Sequence, residues 1–449
     1  MRLSSPLVLI AVALAAVLYI QDGVAPVVPQ LANRPSDFEN YYLASRNLAA
    51  GESPFAIARY DYPPIIAFLL WPLAHLDYET VRWIWFVASH AGILGAALLA
   101  WKALGKDRLA GVVVAFVWSC GGTLNENLAL GQVNPILLLL LAAAMYGAPW
   151  LRSLVLGAAI AIKLWPAALA PALWLGRVSV PAERPTKAAA TGRSFDSWLS
   201  SDDSPRIESP PGRAILATLA VAALLLGAPF AVLTAFYPPP HVPTHSSYWM
   251  GTPALLNLSA AAGVLRLLDF PASADLPHNW QFGNDVLELR LPAGHAVMSV
   301  AASATIWALG FALLMLSLHR RTQPPRQYAS ASLVACAVAT LVPLSLAALP
   351  LSWSHYQLLQ FPGAALFLVL TVRNRKGWHT AAIVMLFLMI YQAPVALLRI
   401  YFNDYGWTAA RPWLLWSMTA LSPLASLGLF MVYCGLTRLA AAGSTQRHP

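Results

Sequence analysis

The sequence predicts an all-α fold: a polytopic membrane protein of about twelve transmembrane helices, with two large extracytoplasmic loops carrying interfacial helices. Three observations predict it. Of 449 residues, 58% are hydrophobic and only 10% charged, against about 25% charged in an ordinary soluble domain. Apolar runs recur along the whole chain, which excludes a soluble domain with a single anchor. Lys and Arg also fall unevenly between alternate connections, as they do where basic loops stay in the cytoplasm. That bias accounts for the net charge of +9, so no nucleic-acid partner is expected.

The elements follow in order. Arg2 precedes an apolar run from Pro6 to Ile20. No clear A-x-A site follows it, so a retained first helix is expected rather than a cleaved signal peptide. Residues 21–64 form the first outer loop. Within it a helix is expected from Asp37, with Tyr41, Leu43, Ala44, Leu48 and Ala49 on one face and a glycine stop at Gly51. Pro63 and Pro64 open a short apolar run to Leu76, too short to span alone. Glu79 to Ala103 reads as a full crossing and Leu109 to Gly122 as the return. A polar turn, Asn125 to Asn134, leads into the run Pro135 to Gly147.

The run Ser153 to Gly176 carries Lys163 and Pro166 near its middle. It is expected as two short helices broken at I-K-L-W-P. A break of this kind is tolerated in a membrane only against protein or a water-filled cavity. Residues 177–213 shift to Ser, Pro and charge, the composition of a disordered cytoplasmic loop. A crossing over Ala214 to Phe236 leads to the second outer loop, 237–291. Further crossings are expected near Pro292–Leu318, Ala329–Leu349, Ser352–Val372, Trp378–Ile400 and Pro412–Leu436. The inner segments of this arrangement hold nineteen Lys or Arg and the outer ones eight, with Lys163 inside a helix. The chain 1–449 is expected as one domain, and no internal repeat of a transporter is present.

Few residues can carry chemistry. Seven of the nineteen acids fall between Asp22 and Glu79, all in expected outer sequence, and none lies at the centre of a confident crossing. An ion-coupled transporter places such groups at mid-membrane instead. Asp37 and Glu39 open the loop helix on different faces, so one can serve as a general base while the other is a charge at the helix N-terminus. Lys163 is a costly cation in apolar sequence. It either meets a lipid phosphate or snorkels to an interface. His355 can donate to a phosphate oxygen or simply pack. Arg266, on an amphipathic stretch, can grip a phosphate or a headgroup. Gln132 and Asn134 can bind sugar hydroxyls or only cap the helix that follows. Cys120, Cys336 and Cys434 lie scattered in apolar runs and suit inert buried thiols. No P-loop, G-x-S-x-G or zinc spacing occurs.

Five pieces stand in a telling order: D-F-E-N-Y-Y-L-A-S-R-N-L-A-A-G-E-S-P-F with Y-P-P (Asp37 to Pro64), G-Q-V-N-P (Gly131 to Pro135), G-A-A-I-A-I-K-L-W-P (Gly157 to Pro166), T-P-A-L-L-N-L-S…R (Thr252 to Arg266) and L-S-W-S-H-Y (Leu351 to Tyr356). On them the sequence resembles the polyprenol-phosphate-sugar-dependent glycosyltransferases of the GT-C fold. The specific match is the bacterial DUF2029 type, glycosyltransferase family 87, of alpha-mannosyltransferase character. The resemblance runs across nearly the whole chain, with 177–213 as an insertion.

It implies an inverting transfer at the outer face of the inner (plasma) membrane. The donor would be a polyprenyl phosphate carrying one sugar, most often mannose, with arabinofuranose and glucose open. The acceptor would be a glycolipid or cell-envelope glycan. Asp37 would take the acceptor proton, with Glu39 as the alternative carboxylate. His355, Lys163 and Arg266 would hold the donor phosphate. Gln132, Asn134, Tyr62 and Asn257 complete the expected substrate-binding set. The resemblance implies neither a metal nor a cofactor. Two other readings stay open, a lipid or solute transporter and a polysaccharide polymerase or ligase using a pyrophosphate-linked donor.

Overall fold

The computed structural model describes residues 5–31, 36–57, 60, 62–119, 121–175, 211–236, 293–319, 330–348, 354–373, 380, 383–384 and 423–437. Every regular element among them is helical, and none is a strand. The second outer loop and the crossing expected near Trp378–Ile400 lie largely outside the described residues, as does most of 177–213.

Helix α1, Ser5–Leu18, continues as a π-helical turn over Tyr19–Val24. Helix α2 spans Asp37–Ala49, with Asp37 and Glu39 in its first turn. A negative charge there meets the positive end of the helix dipole. Its far end closes as expected at Gly51, which has φ +81°. Gly51 N–H bonds to the Leu48 carbonyl at 3.2 Å and Glu52 N–H to that of Asn47 at 2.7 Å, the paired bonds of a Schellman end. The buried face differs from the expected one. Phe38, Tyr41, Tyr42, Ala44, Ser45 and Leu48 are buried, whereas Leu43 and Ala49 are exposed. The core face keeps Tyr41, Ala44 and Leu48 of the expected set and takes aromatic Phe38 and Tyr42 in place of Leu43 and Ala49.

After the short α3, Ile65–Leu70, helix α4 runs from Tyr78 to Ala103. Asp77 caps it, accepting from Thr80 N–H at 2.9 Å and from the Thr80 hydroxyl at 2.7 Å. Helix α5, Arg108–Trp118, is followed by α6, Gly121–Leu130. The stretch expected as a polar turn from Asn125 to Asn134 is therefore helical as far as Leu130. The turn shrinks to residues 131–134, the last of which already opens α7, Asn134–Tyr146. Asn127 lies inside this helix, and its amide donates back to the Thr123 carbonyl at 2.8 Å.

Helix α8, Pro149–Ile162, stops at Lys163, whose φ of −142° and ψ of 133° are extended. A 3₁₀ turn over Trp165–Leu169 and the short α9, Ala172–Leu175, complete the expected broken pair. Pro166 explains the break, because it offers no N–H to continue the helix. Four longer helices follow: α10, Pro211–Phe236; α11, Ala293–His319; α12, Ser330–Ala348; and α13, Phe361–Arg373. A last helix, α14, covers Pro423–Thr437. The segment before α13, Ser354–Gln360, is 3₁₀, so the expected crossing from Ser352 is α-helical only from Phe361.

Helix α7 is the hub. It packs along α4 on one side and α8 on another, and α10 covers α8. Close approach at these seams depends on small residues. A Cβ on Gly92 would come 2.7 Å from the Pro135 carbonyl oxygen, and one on Gly157 would come 2.8 Å from that of Thr218. Leu9, Ile10, Val87, Leu94, Leu98, Leu224 and Leu309 point outward and are exposed. An apolar outside around an apolar core suits lipid rather than water. Among the described residues two helices are long and apolar enough to cross a membrane, or three if the pair α5 and α6, bent by 58°, counts as one span. Seven further apolar helices are shorter.

Candidate active site

The polar residues of this apolar body converge where α2, α6, α7 and the break after α8 meet. Five of the expected site residues join there: Asp37, Tyr62, Gln132, Asn134 and Lys163. Gln132 donates from Nε2 to Oδ2 of Asp37. Its amide oxygen accepts from the Tyr62 hydroxyl at 3.4 Å. Two residues on, Asn134 accepts at Oδ1 from Lys163 Nζ at 3.1 Å. The Asn134 amide nitrogen donates to Asn127 Oδ1 at 3.0 Å. Neither amide caps α7, whose N-cap is Val133 with no side-chain cap bond. Both face inward instead, one to the acid and one to the lysine.

Lys163 is 6% exposed and lies between two aromatic rings, 4.2 Å from the centroid of Tyr356 and 5.5 Å from that of Tyr62. A cation over ring faces gains from the ring quadrupole. The Asp37 carboxylate also acts electrostatically on Lys163, Tyr41, Tyr62 and Tyr356. Acid and lysine thus share one cluster although each bonds to a different amide of the 131–134 turn. Burial first, then the Asp37 charge, raises the Tyr62 hydroxyl well above the ordinary phenol range. The Tyr41 hydroxyl is raised by burial first, then by Tyr62 and Asp37. Both phenols stay neutral donors at any physiological pH.

An aromatic wall fixes the acid. Phe38 lies 5.5 Å from Trp85 and 5.9 Å from Tyr78, and Tyr41 meets Tyr62 edge-on at 4.7 Å. The hydroxyls of Ser36 and Tyr78 share a hydrogen bond of 3.1 Å, tying the start of α2 to the start of α4. Glu39 is half-exposed, and its side chain enters none of the described bonds of the cluster.

Other expected residues stand elsewhere. The backbone of His355 lies in the 3₁₀ segment beside Lys163, next to Tyr356, but its side chain is outside the described set. Arg266 and Asn257 also lie outside the described residues. Sequence reasoning missed Asn127, Tyr41, Tyr356, Arg82 and Trp85. Tyr356 had a signal, since it follows His355 in the L-S-W-S-H-Y piece. Arg82 had one too, as a guanidinium in a spanning helix.

Fold and site together define a helical membrane protein in which, among the described residues, a carboxylate, two amides, an ammonium and several phenols form a partly buried cluster. Residues 60–195 of the chain match the model of glycosyltransferase family 87. That window contains Tyr62, Arg82, Gln132, Asn134 and Lys163, and stops short of Asp37. Over that stretch the match agrees with the family resemblance seen in the sequence. Two relatives bear the same name, polyprenol-phosphate-mannose-dependent alpha-(1-2)-phosphatidylinositol pentamannoside mannosyltransferase. The chain is 28% identical over 123 residues to the one from Mycobacterium tuberculosis (strain CDC 1551 / Oshkosh), covering 26% of this chain and 28% of that protein. It is 32% identical over 123 residues to the one from Mycolicibacterium smegmatis (strain ATCC 700084 / mc(2)155), covering 26% of this chain and 30% of that protein. The matched stretch thus spans less than a third of either relative.

Proposed function

We propose that this protein is a membrane glycosyltransferase of GT-C type. It moves a hexose, mannose by the names of its relatives, from a polyprenyl-phosphate-sugar to a glycolipid or cell-envelope acceptor. The observation that carries the reading is the 131–134 turn, which holds a carboxylate through Gln132 and an ammonium through Asn134. Inverting transfer needs those two charges. The acceptor hydroxyl attacks the anomeric carbon, and its proton passes to the carboxylate of Asp37. The bond from that carbon to the phosphate oxygen breaks, and the electron pair leaves with the polyprenyl phosphate. Lys163 stabilises the charge that develops there. A phosphate leaves without protonation, so one carboxylate suffices.

The Gln132 bond holds the Asp37 carboxylate through one of its oxygens and so fixes its orientation. Tyr62 and Tyr356 screen the lysine from water, which strengthens its hold on phosphate. His355 and Arg266 are proposed as further phosphate contacts and Asn257 as a sugar contact. The active site is proposed to face the extracytoplasmic side of the plasma membrane, where polyprenyl-linked donors enter sideways from the bilayer. The family match favours transfer over transport.

The test is reconstitution. Purified protein in liposomes is given labelled polyprenyl-phosphate mannose and a glycolipid acceptor. The expected result is labelled glycolipid from that donor. Labelled product only from a pyrophosphate-linked glycan would favour a polymerase or ligase. Movement of lipid without transfer would favour a transporter.

A further inference from the structure

The cluster leaves one feature unused. Arg82, on α4, is 1% exposed and makes no ion pair among the described residues. A buried guanidinium is costly unless its surroundings supply negative potential. They do so through a helix end. Helix α6 closes in a Schellman turn: Gly131 N–H bonds to the Leu128 carbonyl at 3.2 Å and Gln132 N–H to that of Asn127 at 2.9 Å. Arg82 Nη2 donates to the carbonyls of Leu128 at 2.9 Å and Ala129 at 2.7 Å, at the negative end of the α6 dipole. Trp85 follows three residues later, on the same face of α4. Its indole N–H donates to the Gly131 carbonyl at 2.8 Å. Arg82 and Trp85 thus grip the backbone from Leu128 to Gly131.

The other side of the guanidinium faces α2. It lies 5.3 Å from the ring centroid of Phe38, the residue after Asp37. The fit is tight: a Cβ on Gly131, whose φ is +64°, would collide with Arg82 Nη1 and with the Phe38 side chain. Nη1 has no hydrogen-bond partner among the described residues. Gly131 immediately precedes Gln132, the residue that holds Asp37.

We propose that Arg82, with Trp85 beside it, is a positioning residue. It sets the 131–134 turn against α2 so that Gln132 orients the Asp37 carboxylate. This rests on the assignment of Asp37 as the base. Among the described residues, groups facing Asp37 include Gln132 from the turn, Tyr41 from its own helix, and Tyr62, Lys163 and Tyr356 from the elements packed around it. Arg82 reaches the acid only through the turn and Phe38.

The test is steady-state transfer by the full-length protein in liposomes, with labelled polyprenyl-phosphate mannose and glycolipid acceptor. Wild type is compared with Arg82→Met, Arg82→Lys, Gln132→Ala and the double variant of Arg82→Met with Gln132→Ala. In Arg82→Met kcat is expected to fall roughly tenfold or more, with donor KM changed by less than about twofold. Its acidic limb of kcat/KM should move to higher pH, as in Gln132→Ala, because a carboxylate without its donor holds a proton more readily. The double variant should be no slower than the slower of the two single variants, and Arg82→Lys should recover part of kcat. A folded Arg82→Met with wild-type kcat, or additive losses in the double variant, overturns the inference. If Arg82→Met does not fold, Trp85→Phe takes its place, and an unmoved acidic limb there overturns it equally. Wild type that transfers no sugar refutes the reading of the site, and this inference with it. Wild type that transfers beside an equally active Arg82→Met refutes only the inference.

Discussion

Two of the cations buried among the described residues, Arg82 and Lys163, are held in opposite ways. Arg82 is locked, with two carbonyls at 2.7 and 2.9 Å, an aromatic ring beside it and the end of α6 supplying negative potential. Lys163 is held loosely, with one described bond to Asn134 and two ring faces. An ammonium has three N–H donors, so the lysine keeps capacity for an incoming anion. The guanidinium spends its charge on the protein backbone. The difference teaches that burial alone does not identify a functional cation. What matters is whether the local structure already satisfies the charge.

Substitutions at these sites test the contrast, and the largest effect is expected at Lys163. Lys163→Met should lower transfer by about a hundredfold or more, because the developing phosphate charge loses its stabiliser. Its melting temperature should hold or rise, since a costly buried charge is gone. Labelled-sugar transfer and a thermal melt on the same preparation check both. A Lys163→Met that melts well below wild type would mean that the lysine, like Arg82, is satisfied by the fold.

Arg82→Met should behave differently in a melt. It removes two charge-assisted bonds from α6 and should cost about 2 kcal/mol of stability. Hydrogen exchange should show the amides of 128–132 losing protection, while those of α10 keep theirs. A smaller effect is expected at the edge of the site. Tyr42 donates to the Leu76 carbonyl at 2.8 Å, away from the acid. Tyr42→Phe should cost about 1 kcal/mol in a denaturation measurement and leave transfer untouched.

The smallest effect belongs to Asp77, the fully exposed cap of α4. The Thr80 N–H and hydroxyl hold its carboxyl below the usual range. Its contribution is present above the unfolded-state value and is lost as pH falls through the lower folded one. Asp77→Ala should therefore lower the melting temperature slightly at neutral pH. The difference from wild type should vanish in acid.

The sequence made local features legible and long-range ones not. The stop at Gly51, the break at Lys163 and the acids opening α2 follow from residue types within a few positions. The pairing of Gln132 with Asp37 joins residues 95 apart, and no spacing rule reaches that far. The expected face of α2 holds at Tyr41, Ala44 and Leu48 and fails at Leu43 and Ala49, because aromatic Phe38 and Tyr42 rotate the buried side toward themselves. Residues Asn125 to Leu130 looked like a turn because of their polarity, yet Asn127 is fully buried and bonded within the helix. Polarity marked the site rather than the end of a helix. Gln132 and Asn134 read from the sequence as sugar binders or helix caps. Their contacts with the acid and the lysine became visible only in three dimensions.

The central claim is that Asp37 is the base, and Asp37→Asn tests it most directly. The substitution keeps the shape of the side chain and removes its ability to take a proton. With Glu39→Gln as the control, labelled transfer from polyprenyl-phosphate mannose is measured on variants that melt like wild type. The account predicts a loss of about a hundredfold or more in Asp37→Asn and near-normal transfer in Glu39→Gln. Full transfer by Asp37→Asn, or a loss in Glu39→Gln alone, would contradict it.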